Sequence, residues 1–164
     1  MDFAELYSRY AQDVFRFAYY LSGTRELAED IAAETFARAL TTADHVKPGS
    51  IKAYLLAIAR NLFLDWARTQ GRTTALLDEH LDTADSKPDP EAITAGRLEL
   101  DATRAALQHV PEPQRAALLM AALDGLPHDQ IAAALGCSTA AVKVRIHRAR
   151  LRLRQLTAQR STTS

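Results

Sequence analysis

Residues 126–150 read LPHDQIAAALGCSTAAVKVRIHRAR and predict two helices joined by a glycine turn, the second of them strongly basic. Gly136 can adopt the left-handed conformation that ends a helix, and Ser138 or Thr139 can cap the next one. The first helix turns three apolar residues inward: Ile131, Ala132 and Leu135. A helix held by a packed partner across a tight turn is the arrangement that reads a DNA major groove.

The second helix has two different faces. An apolar stripe at helical spacing is predicted to face the core, and it comprises Val142, Ile146, Ala149 and Leu153. The opposite face is small at its N-terminal end and cationic beyond, and it comprises Ala140, Lys143, Val144, His147 and Arg148, flanked by Arg145 and Arg150. Small residues allow close approach to a ligand, and cations hold phosphates.

Charge is unevenly distributed along the 164 residues, although the formal net charge is zero. From residue 130 to the end there are seven Lys or Arg and no acidic residue, whereas residues 73–99 hold seven acidic residues against two basic ones. Such asymmetry favours polyanion binding at the C-terminal end. A solvated basic surface without a DNA role is the simpler alternative, and the adjoining turn chemistry argues against it.

Composition predicts an all-α protein, because glycine is scarce, alanine and leucine abound, and no alternating strand pattern persists. The five histidines are far apart and Cys137 is the only cysteine, so we expect no metal site, no disulfide and no cofactor. We expect no catalytic site either, and the protein is predicted not to be an enzyme. The absence of a signal peptide or an apolar span of ~20 residues predicts a cytoplasmic protein without a membrane association.

The chain divides into two small helical domains joined by a flexible acidic linker. The predicted ranges are a first domain at 1–72, the linker at 73–90, a helix-turn-helix domain at 91–157 and a disordered tail at 158–164. In the first domain, Thr24 is expected to cap a helix over residues 25–40 that turns Leu27, Ala28, Ile31, Thr35 and Ala39 inward. The outward residues of that helix are Glu29, Asp30, Ala33, Glu34 and Arg38.

A third helix is predicted over residues 51–68, after a loop at 41–50 that contains Pro48 and Gly49. One side of it carries an apolar stripe of Ile51, Tyr54, Leu55, Ile58, Leu62 and Trp66. The other side carries Arg60, Asn61, Leu64, Asp65 and Arg68. Aromatic residues at this spacing are packing residues more often than stacking platforms for bases, whereas Asn61 on the polar side is the better functional candidate.

Both blocks and their order resemble the small bacterial sigma factors of the extracytoplasmic-function group. Residues 28–36 (AEDIAAETF) are similar to the family's polymerase-binding helix, and residues 54–65 (YLLAIARNLFLD) to its minus-ten promoter helix. Val110-Pro111, Arg115 and residues 125–150 are similar to the domain that reads the minus-thirty-five element. The sequence departs from the family pattern at Ala33, Tyr54, Ala141 and Val144, and Val144 should move base preference toward an apolar contact such as a thymine methyl.

The resemblance implies a protein that binds the clamp helices of core RNA polymerase and directs promoter recognition and melting. The implied polymerase-binding residues are Glu29, Asp30, Ala33, Glu34 and Arg38. The implied contacts with the downstream promoter element, as single-stranded DNA, are Lys52, Arg60, Asn61, Asp65 and Arg68. The implied contacts with the upstream duplex are Thr139, Ala140, Lys143, Val144, Arg145, His147, Arg148 and Arg150, of which Lys143 and Arg148 can meet base edges or phosphates.

The sequence leaves further partners and a rival function open. The resemblance also implies an anti-sigma protein as a candidate partner, and a linker that either threads toward the polymerase cleft or acts as an inert tether. The rival is an autonomous helix-turn-helix regulator whose N-terminal helices sense a ligand or dimerise. That regulator should bind a duplex operator tightly by itself, whereas a sigma factor should bind promoters weakly until polymerase is added.

Overall fold

The computed structural model describes residues 2–42, 51–74 and 102–162, and these residues form helices and short turns without a strand. The all-α prediction is confirmed. The longer helices are α1 (Phe3–Ser22), α2 (Arg25–Thr42), α3 (Ile51–Thr74), α4 (Glu112–Ala122), α5 (His128–Leu135) and α6 (Thr139–Thr162), and residues 102–107 are also helical.

The first unit contains α1, α2 and α3. Asp2 caps α1 by accepting a hydrogen bond from the Glu5 amide at 2.9 Å, and Gly23 ends it with a left-handed φ of 85°. Thr24 Oγ1 then accepts from the Leu27 amide at 3.4 Å, which confirms the predicted cap of α2. Because one turn joins α1 to α2, the two helices pack side by side.

The inward face of α2 is as predicted, with Ala28, Ile31, Thr35 and Ala39 buried and Leu27 partly buried. The stripe on α3 is different from the prediction, since the fully buried residues are Leu55, Leu56 and Ala59, with Phe63 only 7% exposed. The other members of the predicted stripe are partly buried. The reason is that α3 is covered by the first unit on one side and by the second unit on the other.

The second unit contains residues 102–110 and α4, α5 and α6. Gly136 ends α5 with a φ of 68°, and Ser138 Oγ accepts from the Ala141 amide at 3.1 Å at the start of α6. Of the two predicted caps, therefore, Ser138 is the one that caps. Val142, Ile146 and Ala149 are buried and Leu153 is partly buried, which confirms the core stripe of α6.

The two units meet directly. Their buried residues form one continuous core, in which α1 packs on α4 and α3 packs on α5. Near this contact Gln108 Nε2 donates to the Tyr20 carbonyl at 2.9 Å, and the Arg104 guanidinium donates to the Gly23 carbonyl. Two helical units were predicted, but their mutual packing was not.

Two helices extend beyond the predicted boundaries. The disordered tail predicted from residue 158 is wrong as far as Thr162, because α6 continues that far and the Thr157 hydroxyl bonds back to the Leu153 carbonyl at 2.9 Å. Residues 73 and 74 of the predicted linker are the last two residues of α3. The remainder of the linker and residues 43–50 of the predicted loop lie outside the described residues.

Candidate nucleic-acid interface

The outer face of α6 presents nearly all of the residues predicted to meet the upstream duplex. Seven are exposed, namely Thr139, Ala140, Lys143, Val144, His147, Arg148 and Arg150. Arg145 is partly buried, and its guanidinium donates to Cys137 Sγ at 3.4 Å, so it spans the turn between α5 and α6. The structure thus brings this set together on one helix face.

That face is suited to a groove lined by phosphates. Val144 is 46% exposed, and it lies among the cations of this face. No α6 cation forms an ion pair with a carboxylate in the described part of the chain. The helix can therefore offer its positive charge to DNA without first breaking an internal contact.

The predicted downstream set on α3 is divided. Asn61, Asp65 and Arg68 are exposed, and Asp65 pairs with Arg68 along the helix. Arg60 and Lys52, by contrast, point to the second unit and are only 12% and 26% exposed. Both form ion pairs with carboxylates of that unit.

The Arg60 contact is a two-pronged pair with Glu112, the first residue of α4. Arg60 Nε lies 3.1 and 2.9 Å from the two Glu112 oxygens, and Nη2 lies 2.7 Å from Oε1. The Glu112 side chain is 15% exposed. Such a fork is the strong, directional form of an ion pair.

The Lys52 contact belongs to a cluster around Asp124, whose side chain is fully buried between α1, α3 and the end of α4. Lys52 Nζ and Arg16 Nη2 lie 3.5 and 3.7 Å from Asp124 Oδ1, and Asp13 pairs with the same two cations. Burial raises the pKa of Asp124 to about 6, although Lys52 and Arg16 act in the opposite direction and Asp13 adds to the rise.

Arg115 is a structural residue whose role sequence reasoning did not identify. It is 6% exposed, and its Nη1 donates to the Leu107 and Val110 carbonyls at 3.2 and 2.8 Å. Its guanidinium also lies 5.8 Å from the ring centre of Phe63 on α3. Burial lowers the pKa of Arg115, and Glu112 opposes that shift. The sequence signal that could have indicated this buried role is a single arginine directly before an apolar run.

The outer face of α2 holds the set predicted to bind polymerase. Glu29, Asp30, Ala33, Glu34 and Arg38 are all exposed, and Arg38 Nε lies 3.3 Å from Glu34 Oε1. Next to this face, between α1 and α2, is an open cavity of ≈ 630 Å³. Its lining is mainly apolar and comprises Tyr7, Ala11, Gln12, Phe15, Glu29, Ala32, Ala33 and Phe36.

Other kinds of site are not found in the residues described. Within these ranges no group of three or more His, Cys, Asp or Glu side chains converges as a metal site would require. Within the same ranges no helix has the length and apolar character needed to span a bilayer.

Comparison with known proteins assigns both units. Residues 6–73 match the family Sigma-70 region 2, and residues 100–153 match Sigma-70, region 4. Over 142 residues the chain is 37% identical to the ECF RNA polymerase sigma factor EcfG of Rhodopseudomonas palustris, covering 85% of this chain and 76% of that protein. The chain belongs to the ECF sigma factors.

Two further similarities support this assignment. The chain is 38% identical over 161 residues to the ECF sigma factor SigE of Mycolicibacterium smegmatis, covering 96% of this chain but 62% of SigE. The solved structure of the sigma factor RpoE from Bartonella quintana, in complex with the anti-sigma factor NepR, superposes with a TM-score of 0.79 at 30% identity. That match covers 95% of this chain and 96% of RpoE. These matches favour the sigma-factor interpretation over an autonomous regulator, and sigma factors are not catalysts.

Proposed function

We propose that this ECF sigma factor binds core RNA polymerase in the cytoplasm and directs it to a restricted set of promoters. The observation that supports this proposal is that one chain has two exposed, oppositely charged helix faces. The acidic face lies on the region 2 unit, and the basic face lies on the region 4 unit. Polymerase supplies catalysis, and the sigma factor supplies the choice of start site.

The proposed polymerase contact is α2 together with the adjoining cavity. Glu29, Asp30 and Glu34 offer negative charge, and Ala33 allows a partner helix to approach closely. The cavity adds an apolar surface bordered by Tyr7 and Phe36. A helical partner with basic residues around an apolar stripe fits these properties, and we propose the clamp helices of the polymerase as that partner.

The proposed promoter contacts lie on α6 and α3. The first turns of α6 enter the major groove of the upstream element, where Lys143 and Arg148 meet base edges or phosphates and Val144 meets an apolar base edge. After melting, Asn61 and Arg68 of α3 contact the displaced single strand, as Lys52 and Arg60 would if they were released from their carboxylate partners.

We also propose an anti-sigma protein as a partner of this chain. The support is the similarity to RpoE of Bartonella quintana, which was solved with the anti-sigma factor NepR. A protein that binds across both units would hold the chain away from polymerase.

In vitro transcription tests the proposed function. Purified chain is added to core polymerase with genomic DNA of the source organism, and RNA 5′ ends are mapped. We expect defined start sites that are absent with core polymerase alone, preceded by shared upstream and downstream elements. Tight binding to duplex DNA by the chain alone, with no defined starts when polymerase is present, would instead support the autonomous regulator.

Once a promoter is mapped, Arg148→Ala tests the upstream contact. If Arg148 reads a base, the loss should be about 1–3 kcal/mol and confined to one position of the upstream element. The affinity of polymerase for a set of promoter variants, measured at fixed salt with each form of the sigma factor, shows whether the loss is confined to one position. Arg152→Ala, a change at an exposed cation of the same helix outside the predicted set, is the matched control. An equal loss on every sequence would identify a phosphate contact.

A further inference from the structure

One edge of α6 carries a row of polar side chains that continues past the residues predicted to meet DNA. Its members recur at helical spacing, so that each lies about one turn after the one before, and the row is about 16 Å long. All of its side chains are exposed. We call it the edge row, and it comprises Lys143, His147, Arg150 and Arg154.

The edge row lies to one side of the outward face of α6. The buried residues Val142, Ile146 and Ala149 mark the inward direction, and exposed Val144 lies on the side nearly opposite to them. With about 3.6 residues per turn, the edge row is rotated by roughly a quarter turn from Val144. When Val144 faces the floor of a major groove, the edge row therefore faces one wall of that groove, along which a phosphate strand runs.

The opposite edge of α6 is not organised in the same way. Arg145 is partly buried there, and its guanidinium donates to Cys137 Sγ at 3.4 Å, toward the turn before α6. Arg148 is rotated closer to the middle of the outward face than to either edge. Arg152 is left on that edge as an exposed cation outside any row, which makes it a matched comparison for Arg154.

The charge of the edge row is not neutralised within the described part of the chain. Lys143, Arg150 and Arg154 form no ion pair with a carboxylate there. The sequence has no acidic residue from residue 130 to its end. His147 adds a ring N–H that can donate a hydrogen bond. A regular row of donors without an internal acceptor is complementary to the evenly spaced phosphates of one DNA strand.

Arg154 is the member of the edge row that no predicted DNA set includes. It lies just beyond residue 153, where the match to Sigma-70, region 4 ends. Its neighbours Leu153 and Leu156 pack against the core. The Thr157 hydroxyl donates to the Leu153 and Arg154 carbonyls at 2.9 and 3.1 Å. The helix therefore continues through this turn and keeps Arg154 in line with the rest of the edge row.

We propose that the edge row binds the backbone of one strand of the upstream duplex, and that Arg154 contacts a phosphate beyond the base pairs that the first turns of α6 meet. Lys143, for which the sequence allows a base edge or a phosphate, is thereby assigned to a phosphate. The proposal extends the upstream contact and rests on the proposed function. The edge row supplies affinity that does not depend on base sequence, so specificity is left to the residues around Val144.

Binding of the full chain to duplex DNA of arbitrary sequence tests the edge row without polymerase. A fluorescein-labelled duplex is titrated with the chain, and anisotropy is recorded across a salt series. We expect Arg154→Gln and Lys143→Gln each to reduce the slope of log K against log salt concentration by about 0.9, the value for one phosphate contact, and to weaken binding about fivefold at low salt. The loss should be equal on duplexes of different sequence.

Arg152→Gln is the matched control, because it removes the same charge from an exposed position of the same turn on the opposite edge. Its slope should stay within about 0.2 of the wild-type value. An unchanged slope in Arg154→Gln, or an equal reduction in Arg152→Gln, would overturn the proposal. Either result leaves the proposed function standing, since transcription with polymerase is measured separately.

Neutral methylphosphonate linkages identify the strand. They are placed one at a time in the upstream part of a mapped promoter, and the affinity of the polymerase complex is measured with wild type, Lys143→Gln and Arg154→Gln. Each variant should lose sensitivity to one linkage that weakens binding of the wild type, because the contact is already absent. The two linkages should lie on the same strand, with the Arg154 linkage outside the upstream element. Linkages on opposite strands, or full sensitivity retained in Arg154→Gln, would contradict the proposal.

Discussion

The basic face of α6 and the polar face of α3 are both candidate DNA surfaces, but they differ in whether their cations are paired with carboxylates. Lys143, Arg148 and Arg150 of α6 are exposed and have no carboxylate partner among the described residues, whereas Arg60 and Lys52 of α3 are held by Glu112 and Asp124. The difference shows that a DNA surface on one helix can be complete as soon as the helix forms. A surface at the junction of two units depends on how those units pack.

The largest effect is expected at Arg115, which links the second unit to α3. Arg115→Ala removes the donor to the Leu107 and Val110 carbonyls and the cation over Phe63, and should lower the free energy of unfolding by about 3 kcal/mol. Urea denaturation followed by circular dichroism measures this. Arg152→Ala on the exposed side of α6 should change it by less than about 0.5 kcal/mol. Equal losses in the two variants would contradict a role for Arg115 in linking the second unit to α3.

The next largest loss of stability is expected at two glycines that have left-handed backbone conformations. Gly23→Ala and Gly125→Ala each introduce strain of about 1 kcal/mol, because φ is 85° and 63°. At Gly23 the new Cβ would also meet Gln108, whereas nothing lies within 4 Å at Gly125. We expect Gly23→Ala to lose about 2 kcal/mol and Gly125→Ala about half of that, from the same denaturation experiment. Equal losses would argue against close docking of the second unit on the end of α1.

A smaller effect is the pH dependence of the junction at Asp124. Its pKa is raised to about 6 in the folded chain, so the protonated form is favoured there, and the penalty for ionised Asp124 is fully present above that pH. As the pH falls through 6 toward the ordinary value of 3.8, that penalty disappears. The wild type should therefore gain on the order of 1 kcal/mol relative to Asp124→Asn between pH 7.5 and 5.0.

The pH prediction depends on the groups around Asp124. Lys52 on α3 and Arg16 on α1 are the cations that face Asp124, and Asp13 on α1 is the neighbouring acid. Denaturation of both proteins at the two pH values gives the difference directly. A difference that does not vary with pH would show that Asp124 is not desolvated by its contact with the first unit.

The smallest effect concerns the turn before α6. Ser138→Ala removes the acceptor for the Ala141 amide and should lower stability by about 0.5–1 kcal/mol, whereas Thr139→Ala should be close to neutral. Thermal unfolding of the two variants compares them. A larger loss in Thr139→Ala would mean that the alternative cap is used in solution.

Local patterns predicted much of the fold. The cap at Thr24, the inward face of α2, the turn at Gly136 and the core stripe of α6 all follow from spacing and residue type within a few residues. The exposed faces of α2 and α6 follow from the same spacing, because the side of a helix opposite its buried stripe faces outward. The binding roles of those residues stay predictions.

Interactions between distant residues were not predicted. Arg60 was placed on a polar face because its neighbours Asn61 and Asp65 are polar, and a pattern on one helix carries no information about Glu112, which is 52 residues away. Arg115 was overlooked as a core residue because a buried arginine is rare, and its partners are carbonyls that end a different helical segment.

The sequence by itself determined the helices, their caps, their inward faces and the basic character of α6, since each depends on backbone preferences and a 3.6-residue period that act within one element. Tertiary structure alone decided that α3 is covered on two sides, that Asp124 is desolvated and that Arg60 is held by a carboxylate. Those outcomes depend on which surfaces of two units come into contact. Ion pairing and desolvation act through space, and they are set by neighbours that need not be close in the chain.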